Sequence, residues 1–289
     1  VRTQLSRIKG GGLARACRAG QLVTLVISDV IGDRLDIIGS GPTVKDPSNP
    51  QGALDILERF ADQESDIPPA VLDHLRGRVD SGESHPVTTP VTATLNTTII
   101  GNNARAVDAA GVEAVRLGYA YVMSSANSDE GEAEDVGRQL ATHALHMRDN
   151  AGPDCMISGG EPVVRLVASE KRGLGGRNQQ LVLASLLKLL DESGASDVSS
   201  PQASQSLSGI ALLSGGTDGE DGPTDAAGAI ICGEEIIRRI GQQQLDPAKY
   251  LQSNDAYHFF EPLDALIKTG PTHTNVCDLR VVLVDRVAN

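Results

Sequence analysis

Residues 210–228 read IALLSGGTDGEDGPTDAAG. The apolar run from Ile210 to Leu213 stops at Ser214, Gly215, Gly216 and Thr217, and the acids Asp218, Glu220, Asp221 and Asp225 follow. A buried strand that ends in such a loop is where an open parallel sheet usually carries its ligand. Gly215, Gly216, Gly219 and Gly222 permit turns that a Cβ would forbid. Clustered carboxylates repel one another unless a cation sits among them. Two readings stand side by side: a loop that holds a metal–phosphate substrate and on which other loops converge, or a solvated acidic surface turn.

Outward from that stretch the same grammar recurs. The β-branched run LVTLVI at 22–27 reads as a strand buried on both faces. It ends in Ser28, Asp29, Val30, Ile31, Gly32 and Asp33, and a second turn follows at Gly39, Ser40, Gly41, Pro42 and Thr43. Strands are expected at 97–100 and 119–123, the first ending in Gly101, Asn102 and Asn103 and the second in residues 124–132. A further strand at 155–157 ends in Ser158, Gly159, Gly160, Glu161 and Pro162, and 163–167 reads as an antiparallel strand. Carboxylates and glycines after buried strands suit metal or phosphate contacts, and equally suit polar strand ends. Six apolar runs that end this way predict a site at one edge of a sheet.

Residues 173–180, GLGGRNQQ, lead into an apolar helix at 181–190. A glycine loop before a helix suits phosphate, because free N–H groups and the positive helix end face the anion. Arg177 adds a planar fork that matches phosphate oxygens. The loop is neither GxGxxG nor a Walker A motif, and a glycine turn with a surface arginine is the plainer alternative.

Other helices are expected at 51–60, 70–75, 104–117, 133–147 and 230–240, with short ones over 246–268 and a last strand at 279–284. Residues 1–19 read as a helix interrupted by Gly10, Gly11 and Gly12, implying a break or a close backbone approach. Residues 78–90, with a solvated His85, read as a surface loop, and 191–208 as a flexible, peripheral insertion of low complexity. Strand, polar loop and helix in alternation predict an α/β fold with a mostly parallel sheet.

The 289 residues suit two domains or one large α/β domain, and with aromatics at 2% the core must be aliphatic. A formal charge of −13 argues against nucleic-acid or anionic-membrane partners. No apolar run approaches the roughly 18 residues of a membrane span. Cys17, Cys155, Cys232 and Cys277 lie far apart without a CxxC, so reduced thiols in a reducing compartment are expected.

Taken together, ISDVIGD with IIGSGPT, SGGEPVV, GLGGRNQQ, LLSGGTDGEDGPTDAAGA and TGPTHTNVCDL resemble the glycerate 2-kinases, whose C-terminal part is known as the MOFRL domain. LSRIKGGGLA resembles a segment of that family's N-terminal domain. The resemblance implies a partial, N-terminally truncated Rossmann-like domain at 1–95 and a MOFRL-type α/β domain at 96–289, with the site in the cleft between them. It implies ATP-dependent phosphorylation of D-glycerate to 2-phosphoglycerate with Mg²⁺, in a cytoplasmic protein (mitochondrial in a eukaryote) that could form a homodimer. Arg177 and Asp218 are its implied catalytic residues, and Asp29, Asp33 and Asp221 its metal ligands. Ser40, Gly41, Thr43, Gly159, Gly160, Glu161, Gly175, Gly176, Gly215, Gly216 and Thr217 would line the cofactor site.

The family's N-terminal active-site lysine has no counterpart here, since Lys9 belongs to another motif. A non-catalytic remnant that binds nucleotide is therefore one alternative. Some bacterial relatives carry the label hydroxypyruvate reductase, the other alternative, but no GxGxxG with a following acid supplies a nicotinamide site.

Overall fold

The structure is a computed structural model that describes residues 1–60, 67–82, 90–195, 198 and 200–285. The chain divides into two compact units, Val1–Ile100 and Gly101–Asn289.

The first unit contains α1 (Arg2–Leu5), α2 (Gly12–Ala16), β1 (Gln21–Ile27), α3 (Pro50–Phe60), α4 (Pro69–Ser81) and β2 (Thr94–Gly101). The helix expected over 1–19 is two short pieces. The break falls at Gly10 and Gly11, whose φ angles of 58° and 81° favour glycine. Their amides reach the carbonyls of Ser40 at 2.9 Å and Gly41 at 2.7 Å, and a Cβ on Gly11 would stand 2.9 Å from the Val44 carbonyl oxygen. The glycine run is thus both a break and a close backbone approach.

α4 starts with a proline in its first turn, where no N–H is missed. It runs through Ser81, so Arg78 belongs to a helix and not to the expected loop; His85 and the rest of 83–89 lie outside the described residues. Ala53, Leu54 and Leu75 form the core between α3 and α4. The buried Arg78 donates to the backbone oxygen of Gln4 at 2.7 Å and to its Oε1 at 2.9 Å, tying α1 to α4.

β1 and β2 make a two-stranded sheet. Alternate residues of a strand share a face. One face of β1 carries Val23, Leu25 and Ile27, which remain 58%, 63% and 47% exposed. The expectation of a strand buried on both faces does not hold for β1.

The second unit contains α5 (Asn103–Arg116), β3 (Tyr121–Ser125), α6 (Ala133–Asp149), β4 (Cys155–Gly160), α7 (Arg177–Glu192), α8 (Pro201–Ser206), β5 (Ile210–Gly216), β6 (Gly228–Cys232), α9 (Gly233–Gln243), α10 (Pro247–Gln252), α11 (Ala256–Phe260), β7 (Leu266–Ile267) and β8 (Asp278–Val284). Six strands form one sheet in the order β3-β4-β8-β5-β6-β7. Helices flank it, as expected, but the pairing is mixed and not mostly parallel. β3 and β4 are parallel, and every other neighbouring pair is antiparallel.

Two of the four antiparallel pairs come from the placement of β8. It enters in reverse between β4 and β5, which therefore run in the same direction without touching. The loops after β3, β4 and β5 consequently leave the sheet at one edge, where β8 begins. β6 was not anticipated: GAIIC at 228–232 precedes an amphipathic helix and merges into its apolar pattern. The strand expected at 163–167 is reduced to one parallel bridge between Glu132 and Val163.

α6 and α7 cover one face of the sheet, with Leu140, Leu181, Leu186, Leu212 and Val282 in the main aliphatic core. They approach closely at Gly137, where a Cβ would stand 2.2 Å from the Leu181 oxygen. α5 packs on the other face through Val107 and Ala114 against Cys155 and Ile157. The stretch expected to be a peripheral insertion contributes to the core instead, because Ala203 and Leu207 are fully buried; residues 196, 197 and 199 within it are outside the described set.

Candidate functional site

The sheet register decides what stands at the common edge. Asp278, the first residue of β8, is flanked by Gly160 of β4 and Gly216 of β5. Neither neighbour has a side chain to cover it, so the Asp278 carboxylate is reached from α7. Arg177, the first residue of α7, donates from Nε to Asp278 Oδ2 at 2.7 Å and from Nη2 to Oδ1 at 2.9 Å. Two parallel bonds of this kind fix a guanidinium in orientation as well as position. The third nitrogen, Nη1, lies 3.1 Å from Glu161 Oε1. Burial alone would lower the Arg177 pKa, but the hydrogen bonds and charge of Asp278, followed by the charges of Glu161 and Asp221, raise it. Arg177 is a permanent cation.

The surrounding glycines are sites of close packing. A Cβ on Gly160 would fall 1.8 Å from Glu130 Oε2, and one on Gly159 2.1 Å from Asn103 Oδ1. A Cβ on Gly176 would overlap Asp221, and one on Gly175 would lie 3.3 Å from the Ala256 amide. Gly216 stands beside two carboxylates: its Cβ would be 2.7 Å from Asp218 Oδ1 and 3.7 Å from Asp278 Oδ1. Gly215 pairs with Leu279 and Gly228. Thr217 Oγ1 donates to the Cys277 oxygen at 2.7 Å and accepts from the Val276 amide at 2.9 Å. Arg177, Asp218, Glu161, Thr217 and the glycines at 159, 160, 175, 176, 215 and 216 therefore belong to one edge of one unit.

Asp221, expected among the metal ligands, has both of its oxygens turned to α7. Oδ1 accepts from the Asn178 amide at 3.0 Å and from Asn178 Nδ2 at 3.2 Å, and Oδ2 accepts from the Gln179 amide at 2.9 Å. It is a helix cap supplied from another loop, filling the position where a phosphate was expected. Burial pushes its carboxyl up to about 6, although the amides of Asn178 and Gln179 favour the charged form.

This cap predicts a pH effect. Between about pH 4 and the folded value of about 6, the native state keeps a proton that the unfolded chain has released, so stability falls as pH rises through that window. Relative to Asp221→Asn, the wild-type protein should lose up to about 3 kcal/mol across it. Urea midpoints of both proteins at several pH values test this, and a pH-independent difference would refute it.

Two further residues at the edge were missed by the sequence reading. Asn103 Nδ2 donates to the backbone oxygens of Val276 at 2.9 Å and Asp278 at 3.0 Å, while its Oδ1 accepts from Ser125 at 2.7 Å. It ties the end of β3 to the start of β8. Arg280, two residues after Asp278 and buried, forms a bidentate pair with Glu130 at 2.8 and 2.7 Å. Asp278 itself sat in the quoted TGPTHTNVCDL stretch, but an acid ahead of an apolar strand carries no separate signal.

In the first unit, Ser40 and Thr43 are buried and Gly41 has a φ of 60°. Thr24 Oγ1 lies 3.3 Å from Thr43 Oγ1. Asp29 and Asp33 occupy the turn after β1, closed by a bond from the Asp33 amide to the Val30 oxygen at 3.0 Å. Among the described residues no group of three or more His, Cys, Asp or Glu side chains is arranged to hold a metal ion. No helix there is long and apolar enough to cross a membrane.

Comparison with known proteins places these motifs in context. The model of the MOFRL family matches residues 154–278, and that of a domain of unknown function, DUF4147, matches residues 1–76. A D-glycerate 2-kinase of Thermotoga maritima is 35% identical over 98% of this chain and 61% of its own length. A solved glycerate kinase structure from the same organism has a TM-score of 0.77 and 34% identity, covering 99% of this chain and 62% of that one. A glycerate kinase of Macaca fascicularis is 33% identical over 98% of this chain and 77% of its own length. A protein of Agrobacterium vitis named a putative hydroxypyruvate reductase is 38% identical over 98% and 68%. The chain spans about three fifths of the length of the first curated relatives it matches, 60–62%. With both family models matching in order and similarity across nearly the whole chain, it belongs to the glycerate 2-kinase family.

Proposed function

We propose that this chain serves ATP-dependent phosphorylation of D-glycerate at its 2-hydroxyl, giving 2-phosphoglycerate. The observation that carries the proposal is the Arg177 fork, held by a buried carboxylate at the edge where the loops after β3, β4 and β5 emerge. Phosphoryl transfer requires in-line positioning and charge neutralisation more than covalent help. A fixed guanidinium that needs no reorganisation stabilises charge on the transferred group. Asp218, half-buried beside Gly216, is the proposed group that orients the glycerate hydroxyl or accepts its proton.

Ser40, Gly41 and Thr43 in the first unit, and separately the glycine loops around Arg177 in the second, are proposed as nucleotide-binding elements. Because the Asn178 and Gln179 amides are taken by Asp221, the phosphate contacts would come from Arg177 and the loops. Mg²⁺ would enter with ATP, and Asp29 and Asp33 supply hard oxygen donors of the kind it takes; it would neutralise phosphate charge. The four cysteines are unbridged, which suits the proposed reducing, cytoplasmic compartment.

A coupled assay tests the reading. ATP-dependent formation of 2-phosphoglycerate is the expected result, and NADH oxidation with hydroxypyruvate in its place would support the reductase instead. Calorimetric binding of Mg·ATP without turnover would identify a non-catalytic, nucleotide-binding form.

A further inference from the structure

Two protein carboxylates hold Arg177, and they differ in kind. The Asp278 side chain is 0% exposed, lies at the start of the central strand, makes both bonds of the fork, and has its backbone oxygen held by Asn103. Glu161 is the first residue after β4. Its side chain is 38% exposed and makes one contact to Arg177, at 3.1 Å, from a longer and more flexible stem. Its other oxygen is 3.8 Å from Cys277 Sγ.

The nearby helix terminus offers a second comparison. There the position suited to an anion is taken by Asp221, which is buried and bound by three donors. A carboxylate so enclosed is structural. Glu161 is the more exposed member of the set, and it lies against the nitrogen of Arg177 that Asp278 leaves unused. Exposed ion pairs are weak, so such a partner is exchanged at little cost. A phosphate or carboxylate group that reaches Nη1 would meet a planar donor already aligned by Asp278.

We propose that Glu161 is an internal occupant of an anion subsite on Arg177, displaced when the anionic substrate binds, with Asp278 as the residue that positions the guanidinium for the exchange. The idea rests on the phosphotransferase reading for its substrate class, a small phosphate- or carboxylate-bearing anion. Glu161 then sets affinity by competition: it keeps Arg177 paired in the empty protein and opposes weakly binding anions.

The test uses the chain as it stands, with inorganic phosphate as the probe. Phosphate is titrated while the ¹⁵N–¹H resonances of the Arg177 guanidinium are followed by NMR, in wild type, Glu161→Gln and Asp278→Asn. Glu161→Gln removes the competing charge and should bind phosphate about three- to tenfold more tightly, in line with a weak exposed ion pair and relief of like-charge repulsion. Its Nε–H signal should remain protected, since Asp278 still holds it. Asp278→Asn should lose that protection and bind phosphate more weakly. Unchanged or weaker phosphate binding in Glu161→Gln overturns the proposal, as does the absence of any phosphate-dependent shift of Arg177 in wild type and Glu161→Gln.

Thermal midpoints verify that Glu161→Gln is folded, as expected for a half-exposed residue. The kinase assay separates the two readings. Tighter phosphate binding in Glu161→Gln without any 2-phosphoglycerate formation keeps the subsite and removes the kinase. Turnover with unchanged KM values and unchanged phosphate affinity keeps the kinase and removes the competition.

Discussion

Arg177→Ala is expected to lower the kcat/KM of the proposed glycerate phosphorylation by about a thousandfold, the range found when a fixed cationic or oxyanion donor is taken from a transfer reaction. The same substitution leaves the fully buried Asp278 carboxylate without its cation. A buried charge that loses its partner costs about 3–5 kcal/mol, so the variant should also melt at a lower temperature. Arg177→Lys separates the two effects. It keeps a positive charge near Asp278 but not the planar fork, so stability should recover more fully than turnover. Steady-state kinetics and thermal melts of both variants provide the measurement. Near-normal turnover in Arg177→Ala would remove the arginine from the chemistry.

The second large effect concerns stability alone. Arg280 is buried and its bidentate partner Glu130 is mostly so, with 2% and 19% of their side chains exposed. Arg280→Ala should cost about 3–5 kcal/mol in a denaturant titration, because Glu130 would be held against Gly160 with no countercharge. Converting the pair together, Arg280→Met with Glu130→Gln, should recover most of the loss, since two neutral groups leave no uncompensated charge. A loss under about 1 kcal/mol in the single variant would mean that solvent reaches Glu130 readily.

The local elements were legible because each rests on short-range chemistry. Apolar runs gave β1, β4, β5 and β8, and the proline in the first turn of α4 and the glycine break between α1 and α2 were visible as letters. The glycine loop before α7 located Arg177. What escaped was non-local. Periodicity reports that 279–284 is apolar, but not that β8 lies between β4 and β5 in the opposite direction. Asp278 becomes important only through that insertion. Composition could not say which of the acids in 218–225 faced solvent and which capped a helix, because the answer lies in where lone pairs point. Asp221 meets amides from a segment 43 and 42 residues away in sequence.

The late strand at the middle of the sheet has a consequence for assembly. β4 and β5 are made long before β8 but share no hydrogen bonds with each other, so a growing chain carries two unsatisfied strand edges until residues 278–284 arrive. Contacts between segments so distant in sequence form slowly. The anchor of Arg177 arrives with the same residues, so the unit closes its sheet and fixes that guanidinium in a single event.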